Sequence, residues 1–435
     1  MIRRGPTSSR SLAPQHWLLL GVLGVAGFFE GYDSYAFTVA LPQIRESFGL
    51  SQGAASLWLS VLFLGSLPAV FIARRADVKG RRRLLVTTIV AYSLFTGLTA
   101  LAPNMGVFVA AQFCARVFLN AEVVLAWTMV AEELPASRRG FGFGWLAMAS
   151  ALGAATGALA YGAWLVPYGM SWRWLYLIAL PPLALTIAAK RVLPESRRYD
   201  EARSHGALNT RWHDILRKPH RRWMVLVGGT DLLFALATIA EVFAIDFMQT
   251  DRGLSTTHSN LVLVAAGLLA IPVLVFAGSL SDNHGRKRVG CMFGILSVVG
   301  LLGFFFLARH PLELFGFMAL TLIGQFGAWP TLDAYTAELF PTGLRAFASS
   351  FTSLWRVLGE SGSLILGGAL MAFSGSLGAT VGLLAAGPLI AVIIIWRKFP
   401  ETNGVELEDI TDAPIDVVDL APRKHAPAGA HARVG

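Results

Sequence analysis

Ala277-Gly278-Ser279-Leu280-Ser281-Asp282-Asn283-His284-Gly285-Arg286-Lys287 is a polar, basic run between two apolar blocks, near 260–280 and 289–307. Each block has the length of roughly twenty residues that a helix needs to cross ~30 Å of hydrocarbon. Glycine at 285 suits a tight turn, and Asp282 can cap the helix that follows. The run reads as a hairpin between two membrane helices.

Ten more blocks of the same kind lie outward from it. Six spans are expected near 17–42, 54–73, 84–102, 106–131, 141–165 and 172–190, and six more near 223–249, 260–280, 289–307, 312–338, 347–373 and 378–396. The whole chain of 435 residues is 54% hydrophobic and only 14% charged, against about 25% charged in a soluble domain. The fold expected is an all-α membrane protein of twelve transmembrane helices in two six-helix bundles. Its expected parts are an N-terminal segment 1–16, a first bundle 17–192, a central loop 193–222, a second bundle 223–397 and a tail 398–435, disordered after Ile410.

The net charge of +9 is distributed by side. The ends and the even-numbered connections carry 30 of the 36 Lys and Arg; the opposite connections carry Arg45, Arg173, Arg252 and Arg309. Arg116 and Arg356 fall within spans. This asymmetry places both termini in the cytoplasm by the positive-inside rule, and no basic domain remains for a nucleic acid. Cys114 and Cys291 both fall in spans, so neither a disulfide framework nor a metal site is expected. The first span runs beyond a signal h-region and is read as retained.

The hairpin also has an echo. Asp282, Gly285 and Arg286 repeat Asp77, Gly80 and Arg81 at an offset of 205. Glu338, Pro341 and Arg345 repeat Glu132, Pro135 and Arg139 at 206, and Pro400-Glu401-Thr402 repeats Pro194-Glu195-Ser196 at the same offset. One offset shared by three loops marks two related halves. Alternating-access carriers use such halves and bind cargo between them near the midplane.

These residues resemble a known family. The stretch 277–287 is similar to the signature loop G-x-L-[AS]-D-x-x-G-[RK]-[RK] of the major facilitator superfamily. Its copy at 73–82 keeps Asp77, Gly80, Arg81 and Arg82 but has Ala73 for the first Gly and Arg75 for the Leu. Trp172-Arg173-Trp174, Pro194 to Tyr199, Tyr335 to Pro341 with Arg345, and Pro400 to Gly404 resemble motifs of its sugar-porter and metabolite:proton symporter branch. The resemblance implies that Asp77, Gly80, Arg81, Glu132, Arg139, Asp282, Gly285, Arg286, Glu338 and Arg345 form gating networks at the cytoplasmic face. A purely topogenic basic loop is the plainer reading. It also implies that the first, fourth, seventh and tenth helices line the cavity.

Charges inside a bilayer are costly and point to function. Glu30 and Asp33 lie three apart on the first span, and the fourth carries Arg116 and Glu122. Gly31-Tyr32-Asp33 with an Arg in the fourth span resembles the proton-coupling pair of proton-driven sugar porters; Glu30-Gly31-Tyr32-Asp33 resembles an element of aromatic-acid:proton symporters. Asp33, Glu30, Arg116 and Glu122 are therefore the proton-coupling candidates. A static Asp33–Arg116 bridge is the alternative. Asp231, Asp333, Arg356, Tyr32 and Trp329 are the cargo-binding candidates. Glu241 and Asp246 are expected near the outer mouth. Arg356 could anchor cargo or be satisfied by Glu360 four residues on.

Spans with little more than Gln112, Asn120 and Gln325 to match hydroxyls do not suit a sugar. Aromatic residues Tyr32, Tyr35, Trp127, Trp329, Tyr335 and Trp355 with one or two arginines suit a small organic acid, aromatic or aliphatic, moved with protons. The surplus of acids suits instead export of a drug or organic cation. Small residues Gly153 to Gly157 fit a close-packed helix face. The run 140–144 follows no strand, so it is not a nucleotide loop. There is no Walker lysine, nucleophile cluster, metal site or cofactor motif, and no enzymatic activity is expected. The expected partners are protons, cargo and lipid, for a monomer in the cell membrane.

Overall fold

The computed structural model describes residues 12–75, 81–134, 139–184, 220–340 and 342–402. Every regular element among them is helical, and the helices form twelve spans. The first is the single helix Pro14–Ser47; the second is split at Gly65 into Gln52–Leu64 and Ser66–Arg74. The third and fourth are Arg81–Ala100 and Met105–Glu133; the fifth, Arg139–Leu159, ends in a π-turn at Ala160–Leu165. The sixth begins with Arg173–Ile178. The seventh is three helices, His220–Ala235, Thr238–Val242 and Ala244–Thr250. Thr256–His284, Arg286–Leu302 with its π-turn Gly303–Leu307, Pro311–Glu338 and Thr342–Ser374 follow. Leu377–Leu384 and Ala386–Lys398 make the twelfth. Among the described residues ten segments are long and apolar enough to cross a bilayer. The first, with its interior acids, and the sixth complete the set. Most of the central loop and of the tail lies outside the described residues.

Local chemistry sets where spans begin. Ser51, Asn104, Ser255 and Ser376 each accept a hydrogen bond from the backbone N–H three residues on, at 3.0–3.3 Å. They satisfy donors that a helix start leaves open. All four lie at the end of the bundle opposite the chain termini, here the distal end. Ser51 and Ser255 occupy matching places at the starts of the second and eighth spans, a further trace of the repeat.

The buried apolar residues fall into three clusters. One mixes both halves at the distal end and includes Phe37, Leu59, Phe108, Phe243, Phe304 and Leu364. The other two lie toward the terminal end, one built from Leu23, Leu85, Met129 and neighbours, the other from Val227, Phe293, Tyr335 and neighbours. Each of those two is confined to one half. The halves thus share a core at one end and have separate cores at the other.

Hydrogen bonds between described residues of opposite halves follow the same division. Arg45 bridges to Asp246 at 2.7 Å, and Gln52 donates to the other Asp246 oxygen at 2.6 Å. Gln43 reaches Thr256 at 3.0 Å, and Thr257 donates to the Gly162 carbonyl. Ser56 donates to Leu364 O at 2.7 Å, and Ser361 to Ser60 O at 2.8 Å near mid-depth. The distal end is closed.

Candidate functional site

Glu30 and Asp33, though three apart, face different spaces. Asp33 is only 4% exposed and accepts a hydrogen bond from Thr96 of the third span at 3.2 Å. Its other carboxyl oxygen has no partner. It borders a small void with Ser34, Phe37, Gln112, Arg116 and Leu119. Glu30 accepts from Ser34 at 3.1 Å and faces a larger cavity, together with Glu122. The first and fifth spans meet closely here, because a β-carbon at Gly31 would overlap the Ser150 carbonyl and one at Gly153 the Phe28 carbonyl. The expected small-residue face is this contact.

Arg116 makes no direct ion pair among the described residues. Its guanidinium rests over Phe63 at 4.4 Å and Phe37 at 5.6 Å, and its Nη1 has no hydrogen-bond partner. Glu360, Asp33 and Glu30 all act on it electrostatically, Glu360 most strongly. The static Asp33–Arg116 bridge, the alternative to proton coupling, is therefore absent in this conformation. The two phenyl rings hold the guanidinium while Thr96 holds Asp33.

In the second half, Arg356 contacts Asp333 at 3.2 Å and Asp231 at 3.9 Å and lies 3.9 Å from the Trp329 ring centroid. The i,i+4 pairing with Glu360, one of the two readings the sequence leaves open, is not the closest contact. The nearest acids come from the seventh and tenth spans, and Glu360 instead lies within electrostatic reach of both arginines. Asp231, near the start of the seventh span, lies within 3.9 Å of Arg356. Glu241 also lies in the interior, within reach of Glu360 and beside Gln325, and not at the outer mouth. Asp246 is at the distal end, on Arg45.

The cavity has a volume of about 340 Å³. Its walls come from the first, fourth and fifth spans and from Phe326 of the tenth. Tyr35, Trp127 and Phe326 supply rings, and Glu30, Glu122 and Ser150 the polar groups. Phe326 lies three residues before Trp329, so one helix edge serves both the cavity and the Arg356 cluster.

Tyr32 does not join them. It is 2% exposed, donates to Leu175 O at 3.0 Å and packs on Gly157, so it fixes the first span to the fifth and sixth. Tyr335 is likewise structural, donating to Pro400 O at 3.1 Å, and Trp355 packs on Gly228.

Of the gating candidates, Asp77 and Gly80 lie outside the described residues, as do the side chains of Arg81, Glu132, Arg139, Asp282, Glu338 and Arg345. Gly285 has φ +96° and lies so close to Glu401 that a β-carbon would sit 2.5 Å from Glu401 Oε2. Glu401 accepts from the N–H groups of Arg286 at 2.7 Å and Lys287 at 3.2 Å, capping the ninth span. Arg286 also donates to Ser281 at 2.7 Å. Three motifs scattered in the sequence, 277–287, 335–341 and 400–402, thus meet at the terminal end. Nothing in the sequence signals that Glu401 is a cap, since it comes 115 residues after its partner.

A twelve-span helical protein in two halves, joined at one end and with charged groups in the interior between them, has the architecture of a membrane transporter. The chain belongs to the Major Facilitator Superfamily, whose family model matches residues 23–245 and 230–427. Among curated proteins it is similar to the niacin transporter NiaP of Acinetobacter baylyi, with 26% identity over 91% of this chain and 96% of the relative. It is also similar to the gentisate transporter of Corynebacterium glutamicum, with 24% identity over 89% and 93%. Its fold matches the inward open xylose transporter XylE of E. coli with a TM-score of 0.73 at 17% identity, over 91% of this chain and 98% of that one.

Proposed function

We propose that this chain moves a small organic acid of aromatic type by proton symport, with Asp33 as the coupled carboxyl and Arg116 as its moving partner. The observation that carries this is a buried carboxyl with one open oxygen, bordering the same void as an arginine that is not bonded to it. A carboxyl's hold on a proton depends on how near a cation lies. If rocking of the halves changes the Asp33–Arg116 distance, proton binding follows which side is open. Arg356 on Trp329, with Arg116, supplies the positive charge for a cargo carboxylate. The relatives named for niacin and gentisate, both ring acids, support that cargo class.

The asymmetry of Lys and Arg supports a terminal end on the cytoplasmic side, and we read the chain as a cell-membrane protein. The distal end is then outer, and the structure faces inward. Gly285, Arg286 and the other repeated residues of the signature loops serve as the inner gate.

A second reading rests on the charge balance. Glu30, Asp33, Glu122, Asp231, Glu241, Asp333 and Glu360 share the interior with Arg116 and Arg356 alone among the described residues. That surplus favours proton-driven export of an organic cation.

Uptake into proteoliposomes under an inward proton gradient separates the two. Nicotinate and 2,5-dihydroxybenzoate, with xylose and a cationic dye as comparisons, are the probes. Symport is expected to accumulate an acid, to lose accumulation when the gradient is collapsed, and to lose it in Asp33→Asn while exchange survives. Cation movement against the proton flow, with no acid uptake, would establish the second reading instead.

A further inference from the structure

The cavity of about 340 Å³ is at the small end of the ~300–1,000 Å³ range of ligand pockets and suits a single ring. Its walls hold rings in place. Trp127 is stacked on Phe143 with centroids 5.1 Å apart and planes within 15°, and Tyr35 and Phe326 close other sides. No Lys, Arg or His lines it among the described residues, so a carboxylate is not accommodated there. What the cavity does offer is acceptors. Glu122 is 1% exposed, lines the cavity and has an Oε2 with no hydrogen-bond partner. Glu30 and Glu122 lie within electrostatic reach of one another, and Arg116, the cation that acts on Glu30, does not line the cavity.

We propose that this cavity receives the ring of the cargo and that Glu122 reads a hydrogen-bond donor carried on that ring, a hydroxyl or a ring N–H. The inference rests on the organic-acid reading and narrows it to monocyclic acids bearing such a donor. Arg116 lies six residues before Glu122 on the fourth span, about 9 Å along the axis and about 120° round it, and borders the adjoining void with Asp33. A ring acid with its donor away from the carboxylate would place the donor on Glu122 and turn the carboxylate toward that void. A ring without the donor leaves the Glu122 oxygen unpaired, and sites built to bond a donor reject analogues lacking it. The aromatic walls accept either ring, so discrimination falls on the one oxygen.

The test is uptake of benzoate, 3-hydroxybenzoate and 3-methoxybenzoate by the purified full chain in proteoliposomes. The wild type is expected to prefer the hydroxy acid at least tenfold in apparent affinity over both others. Glu122→Met, close in size and without acceptors, is expected to narrow that preference to within about threefold, read as relative affinity in equilibrium exchange, which needs no proton gradient. Glu122→Gln keeps an acceptor oxygen and is expected to retain part of the preference, which guards against loss of fold in the Met variant. Uptake of all three acids without discrimination by the wild type, or a preference that persists in Glu122→Met, overturns this inference alone. No uptake of any acid overturns the organic-acid reading and this inference with it.

Discussion

Arg356 is held from three directions, by Asp333, by Asp231 and by the face of Trp329. A lysine reproduces the charge but not the planar stacking or the fork that spans two acids. Arg356→Lys is expected to weaken cargo affinity about tenfold, within the ~0.5–2 kcal/mol of a cation–π contact plus part of an ion pair. Equilibrium exchange in proteoliposomes measures it; unchanged affinity would remove Arg356 from the site. At this scale the sequence exposes which residues matter, because a charge inside an apolar block stands out and is costly. It does not expose partners. Glu360 is the nearest acid in sequence to Arg356, yet Asp333 and Asp231, 23 and 125 positions away, supply the contacts. Tyr32 shows the other limit. In a helix that is apolar on all sides, periodicity does not separate an aromatic facing the cavity from one packed on Gly157.

At the scale of elements, the contact between the first and fifth spans positions most of the N-terminal half of the site. Gly31 and Gly153 bring the two backbones together, setting Glu30 beside Ser150 and sealing Tyr32 below. Overpacking of such a contact costs about 1–3 kcal/mol, and backbone overlap lies at the upper end. Gly153→Leu is expected to lower the thermal midpoint of the detergent-purified protein by several degrees and to abolish uptake. An unchanged midpoint would mean that the two helices part without cost. The glycine pattern 153–157 made this contact readable in advance. The breaks in the seventh span did not announce themselves. Leu236 and Ala237 donate to carbonyls three residues back, a tightened turn, in a stretch without Gly or Pro to mark it. That turn separates the segments carrying Asp231 and Glu241, so spacing along the sequence does not give the depth of Glu241, which lies beside Gln325.

The whole molecule is two halves whose shared core and cross-half hydrogen bonds lie at the distal end, and the repeat at offsets of 205 and 206 made the halves legible. Which end was closed was not, because a single sequence encodes every conformation of the cycle. The closed end depends on a small polar latch in which Asp246 is fully buried, with Arg45 at 2.7 Å and Gln52 at 2.6 Å on its two oxygens. Replacing Arg45 by Gln leaves that carboxyl with Gln52 and no cation. Stripping a partner from a fully buried pair costs about 3–5 kcal/mol. Arg45 is 14% exposed, so water recovers part of that, and a loss of about 1.5–3 kcal/mol is expected. The loss falls only on conformations with this end closed, because an open distal end hydrates Asp246. At about 1.4 kcal/mol per tenfold, the balance shifts about ten- to a hundredfold toward the open distal end. Spin labels at Glu46 and Asp251, with Cys114 and Cys291 replaced by Ser, report the separation across this end. Arg45→Gln is expected to populate a longer distance. Adding Asp246→Asn removes the buried charge itself and is expected to return most of the population to the short one, since the cost lies in the unpaired carboxylate and not in the missing contact. A distance distribution that does not change in Arg45→Gln would show that the shared apolar core alone keeps the distal end shut.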